Sequence, residues 1–296
     1  MNSKESMACA PISWGVIEVP DWGYQMESDA VLREAAELGV KATEAGPEGF
    51  LPRDPAELQK KLSQYGMQIV GGFDAIVLHD ASLRDEQLAA FESRADFFAS
   101  AGATTMIVAA ATGSAGYEEA IDLDDNQWEE LFDNLARAEE IAGERGLEVS
   151  LHSHYGTVIE TDEQLWRFLE GCQTGLCLDT GHLLIGGSDP VEVAKRAGES
   201  VNHVHLKDVD ANLARRMARR EIGFKEAVIA GVFKPLGEGD VDVAEVIRLL
   251  EQSGYEGWYV LEQDCLLESR PQDNEGPVND VRKSLDFVKR VLGAIQ

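Results

Sequence analysis

Near the middle of the chain, "LHSHYGT" (Leu151 to Thr157) places two histidines two residues apart after a short apolar run. On a strand such positions share a face, so His152 and His154 project together. Further on, "GLCLD" ends at Asp179, and "TGH" brings His182 three residues later. "VNHVHLKD" carries His203, His205 and Lys207 on one side, "WYVLEQD" runs into Glu262, and "KATEAG" contains Glu44. Five of the six histidines lie between 152 and 205. Imidazoles mixed with carboxylates suit a borderline divalent ion such as Mn, Co, Zn or Fe rather than Ca. The competing explanation is a buried polar network with no ion.

Other positions are weaker. His203, one layer below His205, reads as a core histidine. Trp14 and Trp22 have rings that suit stacking on a sugar, and wall packing explains them equally well. Phe73 and Asp74 are minor candidates for substrate contact, and His79 and Asp80 have no assigned role. "RRMARRE" (Arg215 to Glu221) is the only basic cluster, read either as a solvated helix face or as an anion clamp.

What must position these residues is a repeated unit. An amphipathic run closes on glycine and a β-rich run follows, as in "VLREAAELG-VKATEAG", "RADFFASAG-ATTMIVAA" and "VIRLLEQSG-YEGWYVLEQD". Glycine past a helix takes the left-handed conformation that ends it. Seven such units and the opening run "ACAPISWGV" predict eight strands, with a last helix at "VRKSLDFVKRVLGAI". Asp54-Pro55, Thr161 and Asp189-Pro190 are the expected helix starts. Strict alternation without a domain-sized linker, and no glycine-rich phosphate loop after the first strand, favour a (β/α)8 TIM barrel over an open sheet. One such domain is expected over residues 1–296. Reactive side chains then sit at the C-terminal strand ends, which is where the polar positions fall. The connection after the seventh strand, roughly 208–242, holds its own helical run and reads as an excursion over the active face. Residues 266–280, "LLESRPQDNEGPVND", read as a second polar loop.

Composition narrows the partners. The 296 residues carry 54 acidic and 26 basic side chains, a formal charge of −28. Such a chain repels nucleic acid and anionic membranes. Four cysteines without a CxxC pair predict reduced thiols and no thiolate zinc site. With no apolar run near 18 residues and no signal-like start, a cytoplasmic protein is expected. A homo-oligomer is left open.

The ordered motifs "APISWG", "EAGPEGFLPRDP", "HSHYGT", "LDTGHL", "HVHLKD", "GVFKPLGEGDVD" and "EGWYVLEQD" resemble the xylose isomerase-like barrel superfamily of sugar isomerases and epimerases, across essentially the whole chain. The resemblance implies one divalent ion held at the ends of strands five to eight by Glu, Asp, His and Glu. Asp179, His205 and Glu262 match the last three. At strand five the expected "LEnH" reads "LHSH", so His152 stands at the glutamate position, a departure shared with the inosose dehydratase branch. Which of His152 and His154 touches the ion stays open. The implied cofactor is Mn or Co, with Zn, Fe and Mg as alternatives. The implied activity is a metal-dependent lyase that dehydrates a keto-cyclitol such as 2-keto-myo-inositol through an enediolate. A sugar isomerase or epimerase is the alternative, and a non-catalytic sugar-binding barrel the remote one. Lys207, Glu262, His154 and His182 are the acid–base candidates, with a lowered lysine pKa required for a base role. Trp14, Glu44, His182, Lys207 and Glu238 are the expected contacts to a small keto-cyclitol or keto-sugar.

Overall fold

The computed structural model describes residues 6–114, 116–272 and 274–295. The strands are β1 (Met7–Cys9), β2 (Ala42–Thr43), β3 (Gln68–Ile69), β4 (Gly71–Ile76), β5 (Thr105–Ala110), β6 (Glu148–His152), β7 (Gly175–Asp179), β8 (Val201–Leu206), β9 (Asp208–Val209), β10 (Phe233–Lys234) and β11 (Tyr259–Leu261). The main sheet is all parallel, in the order β3-β2-β1-β11-β8-β7-β6-β5-β4. Its two ends are one strand. Between β3 and β4, the Val70 N–H donates to Thr43 O and its carbonyl accepts from Thr104 N, each at 2.9 Å, which closes the ring. Eight strand positions therefore form a TIM barrel, as expected.

Around it lie α1 (Ser28–Glu37), α2 (Pro55–Gln64), α3 (Arg84–Ala101), α4 (Asp125–Gly143), α5 (Asp162–Gly171), α6 (Thr180–Ile185), α7 (Pro190–Ala197), α8 (Ala211–Ala218), α9 (Phe224–Ile229), α10 (Val243–Ser253) and α11 (Pro277–Ala294). The Asp54 side chain caps α2, Thr161 forms a capping box with Gln164 on α5, and Asp189 accepts from Val191 N. Two of the expected glycine stops differ. Gly171 is the last residue of α5, and what it provides is room: a Cβ there would sit 2.6 Å from the Phe132 ring. Gly198 keeps helical dihedrals and leads into a 3-10 turn. The last helix starts at Pro277, inside the expected polar loop, because proline suits the first helical turn.

Strand parity assigns the two faces. Val149 and Leu151 on β6, Leu176 and Leu178 on β7, and Val204 and Leu206 on β8 join the large apolar core packed against the helices. The alternate residues, Ser150 and His152, Cys177 and Asp179, His203 and His205, therefore face the barrel axis. Below them Ala8, Ala10, Ala42, Val70 and Val260 make a small apolar plug. The four cysteines are free, two buried and two partly so. No helix among the described residues is long and apolar enough to cross a membrane.

Candidate active site

At the C-terminal rim the inward polar residues converge. Asp179 closes β7 with one carboxylate oxygen accepting from Gly181 N and His182 N, each at 2.8 Å, which fixes the side chain as the cap of α6. Its other oxygen, Oδ2, lies 3.3 Å from His152 Nε2 and 3.6 Å from His205 Nδ1. His205 Nδ1 in turn is 2.7 Å from Glu262 Oε2, yet neither atom makes a hydrogen bond and both are buried. A buried polar atom left without a hydrogen bond costs about 1–3 kcal/mol, so two facing each other call for a shared partner. Ligand bonds of about 2.1 Å place tetrahedral neighbours about 3.4 Å apart, close to the spacings seen. Asp179, His205 and Glu262 thus fit a divalent ion, and a second overlapping group, His152, Asp179 and His182, brings His152 rather than His154 beside Asp179.

On its far side the His205 ring is oriented by Glu44. A single oxygen, Glu44 Oε1, accepts from His205 Nε2 and His203 Nε2, each at 2.8 Å. Burial opposes ionisation of Glu44, but His205 and His203 hold its carboxyl down at about 2. Burial also disfavours charge on His205, and Cys177 with the carboxylates of Glu262, Glu44 and Asp179 raise it well above the usual range. Without a metal, then, the His205 proton balances the carboxylates, and an ion at Nδ1 would take over that role by displacing it. A carboxylate behind a ligating imidazole is worth about 10–100-fold in metal affinity. Glu44→Gln is accordingly expected to weaken divalent binding about 10–100-fold while the protein still folds. Calorimetric titration checks this, and unchanged affinity would reduce Glu44 to packing.

Lys207, fully buried just past β8, is ringed by acids. Its Nζ is 2.9 Å from Glu262 Oε1, 2.9 Å from Asp264 Oδ1 and 3.5 Å from Asp179 Oδ2. Burial lowers its pKa, but Asp179, Asp264 and Glu262 together raise it well above the usual lysine range. The lowered pKa that a base role requires is not what this surrounding gives, because three carboxylates outweigh burial. Thr180 ties the backbone in place, its Oγ1 donating to Lys207 O at 2.6 Å and accepting from Lys207 N at 2.8 Å. Gly181 of "DTGH" leaves space for the lysine stem, since a Cβ there would lie 2.7 Å from Lys207 Cγ.

His182 Nε2 is 3.1 Å from Lys207 Nζ, and its ring lies 3.9 Å from that of His154. Burial, then His154 and Lys207, holds His182 well below the usual histidine range. His154 donates from Nδ1 to Tyr155 O at 2.7 Å, leaving the lone pair on Nε2. Burial, His152 and Lys207 push it down to about 3, so it is a neutral imidazole.

Glu44, His152, His154, His205, Glu262 and Asp264 line one side of a cavity of about 250 Å³, sized for a small molecule, and Asp179, His182 and Lys207 are buried behind that wall. Of the expected contacts only Glu44 is in that lining; His182 and Lys207 sit behind it, and two others lie elsewhere. Trp14 closes the 3-10 turn Pro11–Trp14, which swings its ring outward to donate from Nε1 to Glu34 on α1 at 2.8 Å, fully buried. Trp22 is likewise a wall residue, donating to Cys265 O. Glu238 pairs with Lys283 of α11 at 3.3 Å and lines a separate surface groove. Its turn is pulled away because the Asp208 carboxylate accepts from the backbone N–H groups of Val209, Gly237, Gly239 and Val241. The basic cluster is partly paired, and Arg215 donates to Asn212. Arg216 and Arg219 face Glu221, while Arg220 pairs with Glu160 and lies 4.0 Å over the Tyr155 ring.

The chain matches the xylose isomerase-like TIM barrel family over residues 32–291. It belongs to that family. It is 37% identical over 266 residues to an inosose dehydratase of Geobacillus kaustophilus (strain HTA426), covering 86% of each chain. Among solved structures, an L-ribulose 3-epimerase matches with a TM-score of 0.72 at 15% identity, over 98% of this chain and 95% of that one. IolI, solved with a bound zinc atom, matches with a TM-score of 0.71 at 15% identity, over 98% and 99%. The two structures share the fold, and the curated relative places this family member among enzymes of the dehydratase and isomerase class.

Three cavity residues had no sequence signal of their own. Asp264 lies two residues past Glu262, beyond the end of β11 where strand alternation no longer applies. Tyr117 comes from a glycine- and serine-containing loop, its ring 4.6 Å from that of His154. Phe224 opens α9 inside the long connection, which does reach the cavity as expected. Phe73 also lines it, 5.9 Å from the rings of both His152 and His154, whereas Asp74 turns outward to Arg94.

Proposed function

We propose that the protein is a divalent-metal-dependent lyase that removes water from a keto-cyclitol such as 2-keto-myo-inositol. The observation that carries this is the donor set of Asp179, His205 and Glu262, with His152 beside Asp179, next to a neutral imidazole and a charged lysine, in a chain 37% identical to an inosose dehydratase. These four residues would hold the ion, Mn or Co by preference. Once bound, it polarises the ketone and the adjacent hydroxyl, which acidifies the α-proton. His154, neutral and with its Nε2 lone pair free, takes that proton. Lys207 supplies a proton through Asp264, 2.9 Å away on the cavity wall, to the departing β-hydroxyl, which leaves as water, and His182 at 3.1 Å relays the replacement. Asp264 adds to this proton store, since burial raises its carboxyl to about 6 despite the facing Lys207. Phe73, Tyr117 and Phe224 screen the reacting centre from bulk water. The whole chain would act as one barrel in the cytoplasm.

The epimerase reading keeps the same ion and stops after proton return. The epimerase fold match favours it. Against it, His152 stands where the symmetric two-glutamate mechanism of such enzymes needs a carboxylate. The test is direct: chelator-treated protein, reloaded with Mn or Co, is incubated with 2-keto-myo-inositol. A product lighter by one water is expected by mass spectrometry, with none formed before reloading. An isomer of unchanged mass would replace the lyase with the epimerase.

A further inference from the structure

The acids around the cavity are unequally compensated, and this bears on which molecules enter. Of the carboxylates that line it, Asp179's neighbour Glu262 belongs to the proposed ion site, Glu44 is matched by two histidines, Asp264 faces Lys207, and Glu48 pairs with Arg53 at 3.0 Å on the rim. Among the described residues no lysine or arginine lines the cavity. Glu18 has no cationic partner among the described residues. It accepts instead from Tyr117 Oη at 2.6 Å, across two different strand-to-helix connections. Glu18 is exposed while His152 and His205 are buried, so the pair marks the mouth.

Tyr117 is held there from below and beside. Its backbone rests on Gly156, φ +74°, where a Cβ would be 2.3 Å from Tyr117 O, so the glycine of "HSHYGT" makes this close approach possible. The next residue, Glu118, accepts from Phe224 N at 3.0 Å, which ties the loop to the long insertion. A hydroxyl–carboxylate pair in a fixed place, with an uncompensated negative charge, accepts hydrogen bonds from alcohols and repels anions.

We propose that Glu18 and Tyr117 are the specificity-determining pair of this enzyme: they bind a hydroxyl of an uncharged polyol ring and turn away phosphorylated or carboxylated analogues. The chemistry at the other end of the cavity rests on the lyase reading above, whereas the charge selection does not. The experiment compares metal-loaded wild type, Glu18→Gln and Tyr117→Phe. Turnover of 2-keto-myo-inositol is measured alongside binding of myo-inositol and myo-inositol monophosphate by calorimetry. Losing one charge-assisted hydrogen bond should raise KM for the neutral substrate about 10-fold in Glu18→Gln, with kcat within about two-fold. The same variant should bind the phosphate ester about 10-fold more tightly, because one facing charge is gone. Tyr117→Phe should raise KM without relaxing rejection of the ester. Unchanged KM and unchanged ester affinity in Glu18→Gln would overturn the pair even if the lyase reaction is observed. If no water is lost from the keto-cyclitol while Glu18 still sets the preference for inositol over its ester, the lyase reading falls and the pair stands.

Discussion

Asp179→Asn is expected to lower divalent-ion affinity by more than about 100-fold and turnover by about 10²–10³ or more. The substitution is chosen to separate two duties of one side chain. Asp179 Oδ1 caps α6 through Gly181 N and His182 N, and the amide oxygen of asparagine can keep those bonds. Oδ2 faces His152, His205 and Lys207, and there the charge itself matters. Burial works against the Asp179 carboxylate, but Lys207 and the surrounding histidines hold it well below the usual range, so it is an anion ready to ligate. The asparagine offers no such anion. Calorimetric metal titration with a parallel melting curve decides the matter: affinity within a few-fold of wild type would remove Asp179 from the ligand set.

Lys207→Met should produce the second large effect, and on two properties at once. Taking away one member of a buried ion cluster leaves uncompensated charge, at a cost of about 3–5 kcal/mol. Here Asp179, Glu262 and Asp264 would face one another with the ammonium gone. Turnover should fall by about 10²–10⁴, the usual contribution of a positioned acid or base. A divalent ion should restore part of the lost stability, since it would sit among two of the same carboxylates, but not the activity. Chemical denaturation with and without Mn, next to a turnover assay, would show this. A variant as stable as wild type without metal would mean the acids are not coupled through Lys207.

The barrel was legible because alternation of helix and strand leaves a pattern that local rules record. Capping side chains at Asp54, Thr161 and Asp189 and most helix-closing glycines behave as those rules require. The inward positions proposed for His152, Asp179 and His205 were legible for a related reason: on β6, β7 and β8 they alternate with apolar residues, and the apolar set is what packs on the helices. What stayed hidden lies where periodicity stops. Trp14 was misjudged because a single 3-10 turn redirects it, and Glu238 because a carboxylate thirty residues upstream folds its turn away. Asp264, Tyr117 and Phe224 come from connections, whose course depends on distant contacts such as Gly156 against Tyr117. Glu44 was correctly seen as a strand-end acid facing the site, but its pairing with two histidines of β8 is a tertiary fact.

The Asp208 clasp has a consequence for how this enzyme can vary. By gathering the N–H groups of Val209, Gly237, Gly239 and Val241 on one carboxylate, the protein brings the two ends of the long connection together, next to the β9–β10 ribbon. A segment whose ends already meet closes at little further entropic cost, and each doubling of its length adds only about 0.6 kcal/mol. The stretch that supplies Phe224 is therefore anchored at its own two ends, outside the strands that lead to Asp179, His205 and Glu262. The proposed ion donors and one wall of the pocket are written in separable lengths of chain, so the range of accepted molecules can drift while the reacting groups stay where they are.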